Sequence, residues 1–246
     1  MTLAVTILGS SGIYGTPTRA ASGYLVEVDG SRLCLDAGAG TWRNLLTLAD
    51  YPSIAGIVLT HRHPDHTTDV FQAFHARQYG QAEPLSPIPL WAPEETIEVL
   101  QGYSPEISKS FDFRAVAESE AIEFSGASLS FVRMAHPPVT LGVRVEHRGQ
   151  VFAYSADSGL DADFETLARG ADLFVCEATF QDADDPWPGH LSASQAGGLA
   201  AKADAARLVT THLPPGRDYE RTLAEAQDAA GSIPVELAED LRRFEL

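Results

Sequence analysis

Residues 54–66 read Ile-Ala-Gly-Ile-Val-Leu-Thr-His-Arg-His-Pro-Asp-His, and this stretch decides how the fold is interpreted. Its first six residues, 54–59, are apolar without a break and have the length of one strand, which predicts a central strand buried on both faces. The mostly polar residues 60–66 predict a loop, and the next segment predicts a helix from about Thr67 to Tyr79. The loop therefore follows a buried strand, which gives its side chains a rigid base.

Three of the eight histidines of the chain lie within this loop, in the pattern His-x-His-x-Asp-His. From composition alone such a pattern arises by accident on the order of once in a thousand such chains. Imidazole and carboxylate groups together suit divalent cations such as Zn²⁺. His61 and His63 point the same way if strand geometry persists, whereas Asp65 and His66 turn away towards a second metal. Four ligands exceed what one catalytic zinc with an open position uses, so the loop predicts two metals.

Two metals require more donors, and three candidates follow other predicted strands. They are His136 after Ser130 to Met134, Asp157 after Val151 to Tyr154, and His212 after Leu208 to Thr210. Taken singly, Asp157 is as readily a capping residue, and the two histidines are more often hydrogen-bonded loop residues. Together with the histidine cluster, the three are interpreted as metal ligands.

Composition and element order predict an α/β fold. The chain has 246 residues, of which 44% are hydrophobic and 21% charged, so an ordinary core can form without disulfides. Cys34 and Cys176 lie in apolar runs and are expected to be buried, reduced thiols. Many strands in both halves, with helices between and after them, predict two packed sheets covered by helices, a four-layer αββα sandwich. No linker interrupts the sequence, so residues 1–246 are expected to form a single domain. The Ala- and Gly-rich helix Ser192 to Lys202 is expected to pack closely against a sheet.

The charge of the chain excludes some classes of partner. A net charge of −17 and a pI near 4.7 disfavour general binding to RNA or DNA, which depends on clustered Lys and Arg. No segment reaches the roughly 18 apolar residues of a membrane span, and the N-terminus lacks a basic signal sequence. No membrane association and a cytoplasmic location are therefore expected.

The loop from Thr60 to His66, followed in order by His136, Asp157 and His212, resembles the metal motifs of the metallo-β-lactamase superfamily. The resemblance covers nearly the whole chain and implies the αββα sandwich. It also implies two zinc ions and the residues that hold them. One zinc would be bound by His61, His63 and His136, the other by Asp65, His66 and His212, with Asp157 bridging both.

Two further motifs resemble the ribonuclease Z branch of this superfamily. They are Cys176-Glu-Ala-Thr-Phe180 and Gly189-His-Leu-Ser192, where Glu177 would orient His190 beside the metals. The chain also resembles bacterial ribonuclease-Z-like phosphodiesterases that hydrolyse cyclic nucleotides, through residues 21–25, 135–137, 190–192 and 211–215. The resemblance implies attack on a small phosphodiester by a metal-bridging hydroxide, with Asp65, Glu177 and His190 as the catalytic residues. It also implies a homodimer.

The chain departs from these relatives at one motif, and alternatives to a phosphodiesterase remain open. Ala156 stands where a glycine is usual, a change that matters only if the position requires a positive φ. A tRNA 3′-processing nuclease shares every catalytic residue, but the sequence contains no basic Gly/Pro-rich arm for holding tRNA. A thioesterase, lactonase or β-lactamase on the same fold is a third reading. A non-catalytic binding module on the same fold would be expected to lack some of the metal-binding residues. The donor types suit Mn²⁺ or Fe as well as Zn²⁺.

Overall fold

The structure, a computed structural model, describes residues 3–246, so the first two residues of the expected domain lie outside it. The chain forms two compact units, each with its own sheet. Unit 1 comprises residues 3–10, 14–116 and 239–245, and unit 2 comprises residues 11–13, 117–238 and 246.

Unit 1 contains a seven-stranded mixed sheet in the order β14-β1-β2-β3-β4-β5-β6. Neighbouring strands are antiparallel from β14 to β3 and parallel from β3 to β6. Its strands are β1 (Leu3–Gly9), β2 (Gly23–Val28), β3 (Ser31–Leu35), β4 (Ile54–Val58), β5 (Ile88–Ala92), β6 (Phe111–Ala115) and β14 (Arg243–Glu245), and its helices are α1 (Thr41–Leu45), α2 (Pro64–Thr67), α3 (Val70–Tyr79) and α4 (Glu94–Tyr103). Two 3₁₀ turns, Tyr51–Ser53 and Pro105–Lys109, complete the unit.

The predicted buried strand is β4. Four of its five residues are buried, and Ala55 is exposed. Helix α3 packs against the same core through Val70, Ala73 and Phe74. Cys34 lies in this core, where burial raises the pKa of its thiol to about 12. Both cysteines are buried and reduced, as expected.

Unit 2 contains the second seven-stranded sheet, in the order β13-β12-β11-β10-β9-β8-β7. Strands β7 to β10 are antiparallel to their neighbours, and β10 to β13 are parallel. Its elements are β7 (Ala121–Phe124), β8 (Ala127–Arg133), β9 (Leu141–His147), β10 (Gln150–Tyr154), β11 (Leu173–Glu177), β12 (Leu208–Thr211), β13 (Val235–Leu237), α5 (Phe164–Ala168), α6 (Ala193–Lys202) and α7 (Tyr219–Ala230).

The sequence identifies most of these elements, and three features differ from the prediction or add to it. Strands β13 and β14 have three residues each and were not predicted. The helix predicted from Thr67 to Tyr79 is preceded by the separate turn α2, which Pro64 begins. Helix α6 contacts the sheet as predicted and also packs closely against α7, because Gly197 leaves room for the α7 backbone.

The two mixed sheets, each flanked by helices, confirm the α/β class. Among residues 3–246, no helix has the length and apolar character needed to cross a bilayer.

Candidate metal centre

In unit 1, the parallel strands β3 and β4 bring Asp36 and the histidine loop to the same sheet edge. His61 is fully buried and His63 half-buried, and the distance from His61 Nε2 to His63 Nδ1 is 3.1 Å. Two imidazole nitrogens bound to one tetrahedral zinc are about 3.4 Å apart, given Zn–N bonds of about 2.1 Å. The spacing of these two nitrogens therefore fits a shared metal ion.

Asp65 and His66 lie one turn further on, in α2. His66 is buried, and its Nε2 is 3.9 Å from Asp65 Oδ2. Close approach of the backbone at Gly38 supports this turn, because a Cβ on Gly38 would lie only 2.0 Å from the carbonyl oxygen of Asp65. Unit 1 therefore brings together two pairs of the predicted ligands.

Asp36 organises both pairs, and the sequence analysis did not single it out. It directly follows β3 with a φ of +58°, and it is fully buried. Its Oδ2 is 2.8 Å from His66 Nδ1, and its Oδ1 accepts a hydrogen bond from the backbone N–H of Thr60 at 2.8 Å. The Thr60 hydroxyl donates to Asp36 and lies 3.0 Å from His61 Nδ1. The hydroxyl therefore accepts from Nδ1–H, which leaves Nε2 of His61 unprotonated and able to bind a metal.

In unit 2, strands β8, β10 and β12 run in the same direction, and the other predicted ligands follow them at one sheet edge. His136, Asp157 and His212 are all buried. Asp157 Oδ2 is 3.8 Å from His136 Nε2, whereas Asp157 Oδ1 is 3.5 Å from His212 Nε2. The two oxygens of one carboxylate thus face two different histidines.

The Nδ1 atoms of these histidines are held by partners within unit 2. His136 Nδ1 donates to the carbonyl oxygen of Gly189 at 2.8 Å. His212 Nδ1 is 2.9 Å from the hydroxyl of Thr179, which itself donates to Glu177 Oε2 at 2.7 Å. Hydrogen bonds of this kind orient metal-binding histidines and fix their tautomer. Burial lowers the pKa of His136 from its ordinary value, an effect that the charge of Asp157 opposes.

His190 and Glu177 meet as the motifs suggested. His190 Nδ1 lies 2.7 Å from Glu177 Oε1, and Glu177 is fully buried. The imidazole of His190 stacks on that of His212, with centroids 5.2 Å apart and planes 21° apart. Asp157, His190 and His212 each offer one ligand atom, and these atoms lie within 4.8 Å of one another. His190 is therefore adjacent to two of the predicted ligands.

Two residues of the centre have left-handed backbone conformations. Ala156 has a φ of +53° and His212 a φ of +54°. Ala156 therefore stands at a position with a positive φ, where a glycine would be free of strain.

The chain resembles known proteins in both sequence and structure. The sequence model of the beta-lactamase superfamily domain matches residues 31–213. The chain belongs to the metallo-β-lactamase superfamily. Among its relatives, the uncharacterized protein ML1173 of Mycobacterium leprae is 34% identical over 92% of this chain and 83% of its own. A ribonuclease Z of Kineococcus radiotolerans is 29% identical over 96% of this chain and 92% of its own.

Solved structures agree with this assignment. The metallo-β-lactamase-fold protein YhfI of Bacillus subtilis matches with a TM-score of 0.92 and 24% identity, and the match covers 100% of both chains. A diphosphatase of the PhnP family matches with a TM-score of 0.77 and 26% identity, over 99% of this chain and 98% of its own. The family resemblance and the fold class drawn from the sequence are confirmed. The chain is a metallo-hydrolase by family, with His and Asp residues able to bind metal.

Proposed function

We propose that the protein is a dinuclear metal-dependent phosphodiesterase that cleaves small phosphodiesters, with cyclic nucleotides as the first substrates to test. The observation that carries the proposal is Asp157, whose two oxygens face His136 and His212 separately. A carboxylate in that arrangement serves two metals better than one. Two metals about 3.5–4 Å apart suit the in-line displacement of a phosphodiester.

The ligands fall into two sets under this proposal. His61, His63 and His136 would hold one metal, Asp65, His66 and His212 would hold the other, and Asp157 would contribute to both. Zn²⁺ is the expected ion, and the same nitrogen and carboxylate donors suit Mn²⁺ and Fe. When bound, such a pair makes a water nucleophilic near neutral pH and neutralises charge on the phosphoryl oxygens.

The side chains of the protein supply orientation and a proton. Asp36 and Glu177 each accept a hydrogen bond from a threonine hydroxyl, which in turn contacts Nδ1 of a histidine. These contacts orient the Nε2 atoms of His61 and His212 for metal binding. Glu177 also contacts His190 directly and orients its imidazole. A protonated His190 then donates to the departing alkoxide of the substrate.

The protein classes represented among the relatives support phosphorus chemistry. One relative by sequence is named a ribonuclease, and one protein of similar structure is named a diphosphatase. The ribonuclease relatives favour tRNA 3′-end processing as a second candidate function. The net charge of −17 disfavours it, because a protein that holds tRNA neutralises phosphates with Lys and Arg.

The test is hydrolysis of cyclic AMP, bis(p-nitrophenyl) phosphate and precursor tRNA, side by side, by the metal-loaded protein. We expect turnover of the two small substrates and none of the tRNA. Turnover of tRNA alone would establish the second candidate, and turnover of neither class would refute phosphodiester chemistry.

The His190→Ala variant tests the proton donor. We expect kcat to fall about 10²- to 10⁴-fold while two metal equivalents remain bound. The His75→Ala variant is the matched control, because His75 is exposed on α3. Wild-type rates for His190→Ala would show that the proton comes from elsewhere.

A further inference from the structure

An exposed tryptophan lies beside the histidines of unit 2, in the loop that joins β11 to α6. Trp187 is 45% exposed. Its ring centroid is 5.4 Å from that of His190 and 5.5 Å from that of His136. One side of the indole therefore borders the proposed chemistry, and a large part of it faces solvent.

The position of Trp187 is fixed by its loop. The local sequence is Asp185-Pro-Trp-Pro-Gly-His190, so a proline restricts the backbone on each side of the indole. A Cβ on Gly189 would lie 2.1 Å from Cζ3 of Trp187, so the six-membered ring occupies space that only glycine leaves open. The backbone N–H of His190 donates to the carbonyl oxygen of Trp187 at 3.2 Å.

The same loop connects the indole to the proposed ligands. The carbonyl oxygen of Gly189 accepts the Nδ1 hydrogen bond of His136. A Cβ on Gly159 would lie 1.7 Å from the carbonyl oxygen of Pro188, so this turn sits directly on the loop that follows Asp157. Because the indole is held before a ligand arrives, binding costs little ordering of its side chain.

Single exposed aromatic residues are common on protein surfaces, so exposure alone carries no function. Two other exposed aromatics, Tyr103 and Tyr79, pack on aromatic neighbours of unit 1: Tyr103 on Phe71, and Tyr79 on Phe74 and His75. Trp187 differs because its ring neighbours include His136 and His190, both assigned to the reaction.

We propose that Trp187 is a specificity-determining residue that stacks on the nucleobase of the substrate. The inference rests on the proposed phosphodiesterase function and names its substrate class, phosphodiesters that carry a planar aromatic base. In a cyclic nucleotide one sugar separates the base from the phosphorus, and the indole centroid lies 5.4 Å from that of the imidazole that would protonate the leaving oxygen. Stacking on an indole is available to every base, so Trp187 selects nucleotides over base-free phosphodiesters without selecting among bases.

Kinetics with a matched pair of substrates test the inference: 3′,5′-cyclic AMP and its abasic analogue, in which hydrogen replaces adenine. Stacking of one base is worth about 1–3 kcal/mol, so Trp187→Ala raises KM for cyclic AMP about 5- to 150-fold. KM for the abasic analogue and kcat for both substrates stay near wild type. Trp187→Phe shows a smaller rise in KM, and Tyr103→Ala, which removes another exposed aromatic ring, shows none. Equal effects on the two substrates, or no effect on either, would overturn the inference.

Equilibrium binding separates this inference from the proposed function. AMP should quench the tryptophan fluorescence of the metal-loaded protein, whereas ribose 5-phosphate should not. The quenching should disappear in Trp187→Phe and persist in Trp42→Phe. If AMP quenches through Trp187 but no phosphodiester is hydrolysed, the proposed function fails and the stacking role stands. If cyclic AMP is hydrolysed but Trp187→Phe leaves the quenching unchanged, only the stacking role fails.

Discussion

At the scale of single residues, the same hydrogen-bonded chain occurs once in each unit. A buried carboxylate accepts from a threonine hydroxyl, and the hydroxyl accepts from histidine Nδ1: Asp36, Thr60 and His61 in unit 1, and Glu177, Thr179 and His212 in unit 2. The carboxylate fixes the direction of the hydroxyl, and the hydroxyl fixes the tautomer of the imidazole. Each set of three hydrogen-bonded side chains thus directs the Nε2 atom of one histidine towards the predicted metal.

Removing the hydroxyl of Thr179 should weaken metal binding without unfolding the protein. Thr179→Val preserves the shape of the side chain but releases His212 Nδ1, and such partners are typically worth 10- to 100-fold in metal affinity. Competition with a chelator measures this loss. Thr222→Val removes a buried hydroxyl of α7 and is the matched control, with unchanged affinity expected. Equal affinities of Thr179→Val and the wild type would show that the hydroxyl does not position the ligand.

Ala156 provides a second test at this scale. A non-glycine residue in the left-handed region costs about 1–2 kcal/mol, and Ala156 has a φ of +53°. Ala156→Gly relieves that cost. It also removes a buried methyl group and raises the conformational entropy of the unfolded chain, and both of these effects are destabilising. The free energy of unfolding should therefore change by less than about 0.5 kcal/mol. Ala153→Gly, at a buried position of β10, has no strain to relieve and should lower it by about 1.5 kcal/mol. Urea denaturation in chelator compares them, and equal losses would contradict the strain argument.

At the scale of elements, helix α6 contains two adjacent glycines in opposite situations. A Cβ on Gly197 would lie 2.2 Å from the carbonyl oxygen of Ala226 in α7, whereas a Cβ on Gly198 would meet nothing within 4 Å. Gly198→Ala should therefore stabilise the protein by about 0.5–1 kcal/mol, because alanine favours a helix. Gly197→Ala should destabilise it by about 1–2 kcal/mol, because α6 and α7 must separate. Chemical denaturation measures both changes, and stabilisation by both would refute close packing at Gly197.

The elements also show where local sequence is enough to predict structure. β4 is predicted because an unbroken apolar run indicates a buried strand. The start of α6 is also encoded locally, because Ser192 and Gln195 form a capping box. β13 and β14 are three residues long, and they exist through pairing with β12 and β1, which are distant in sequence. No periodic pattern can develop in three residues, so these strands depend on tertiary contacts.

The residues of the site also divide into those that local sequence predicts and those that depend on tertiary contacts. The ligand candidates were found because histidine and aspartate cluster in a recognisable motif or follow predicted strands. Asp36 was missed, and Thr179 was quoted only as part of a motif without a role, because both act through hydrogen bonds to residues 24 to 33 positions away. Asp36 gave one local signal, an acidic residue between a strand and the glycine-containing turn Ala-Gly-Ala-Gly. The roles of the ligands and of His190 stay predictions until metal and activity are measured.

At the scale of the whole molecule, the expected homodimer and cytoplasmic location stay predictions. Sedimentation velocity at physiological salt should give twice the chain mass of 26.4 kDa. The salt matters because each copy carries a net charge of −17, and at low ionic strength repulsion between copies opposes association. A monomer at every salt concentration would contradict the homodimer.

The proposed function makes a sharper demand on the whole chain, because ligands from unit 1 and unit 2 must share the same two metals. His63→Ala and His136→Ala remove ligands assigned to one metal, so the double variant should retain about as much metal after dialysis as either single variant. His63→Ala combined with His212→Ala removes ligands assigned to different metals, so this double variant should retain less than either single variant. Elemental analysis after dialysis against a weak chelator measures both pairs. If His63→Ala and His136→Ala are additive, each unit binds metal on its own, and the dinuclear assignment is wrong even if the protein hydrolyses phosphodiesters.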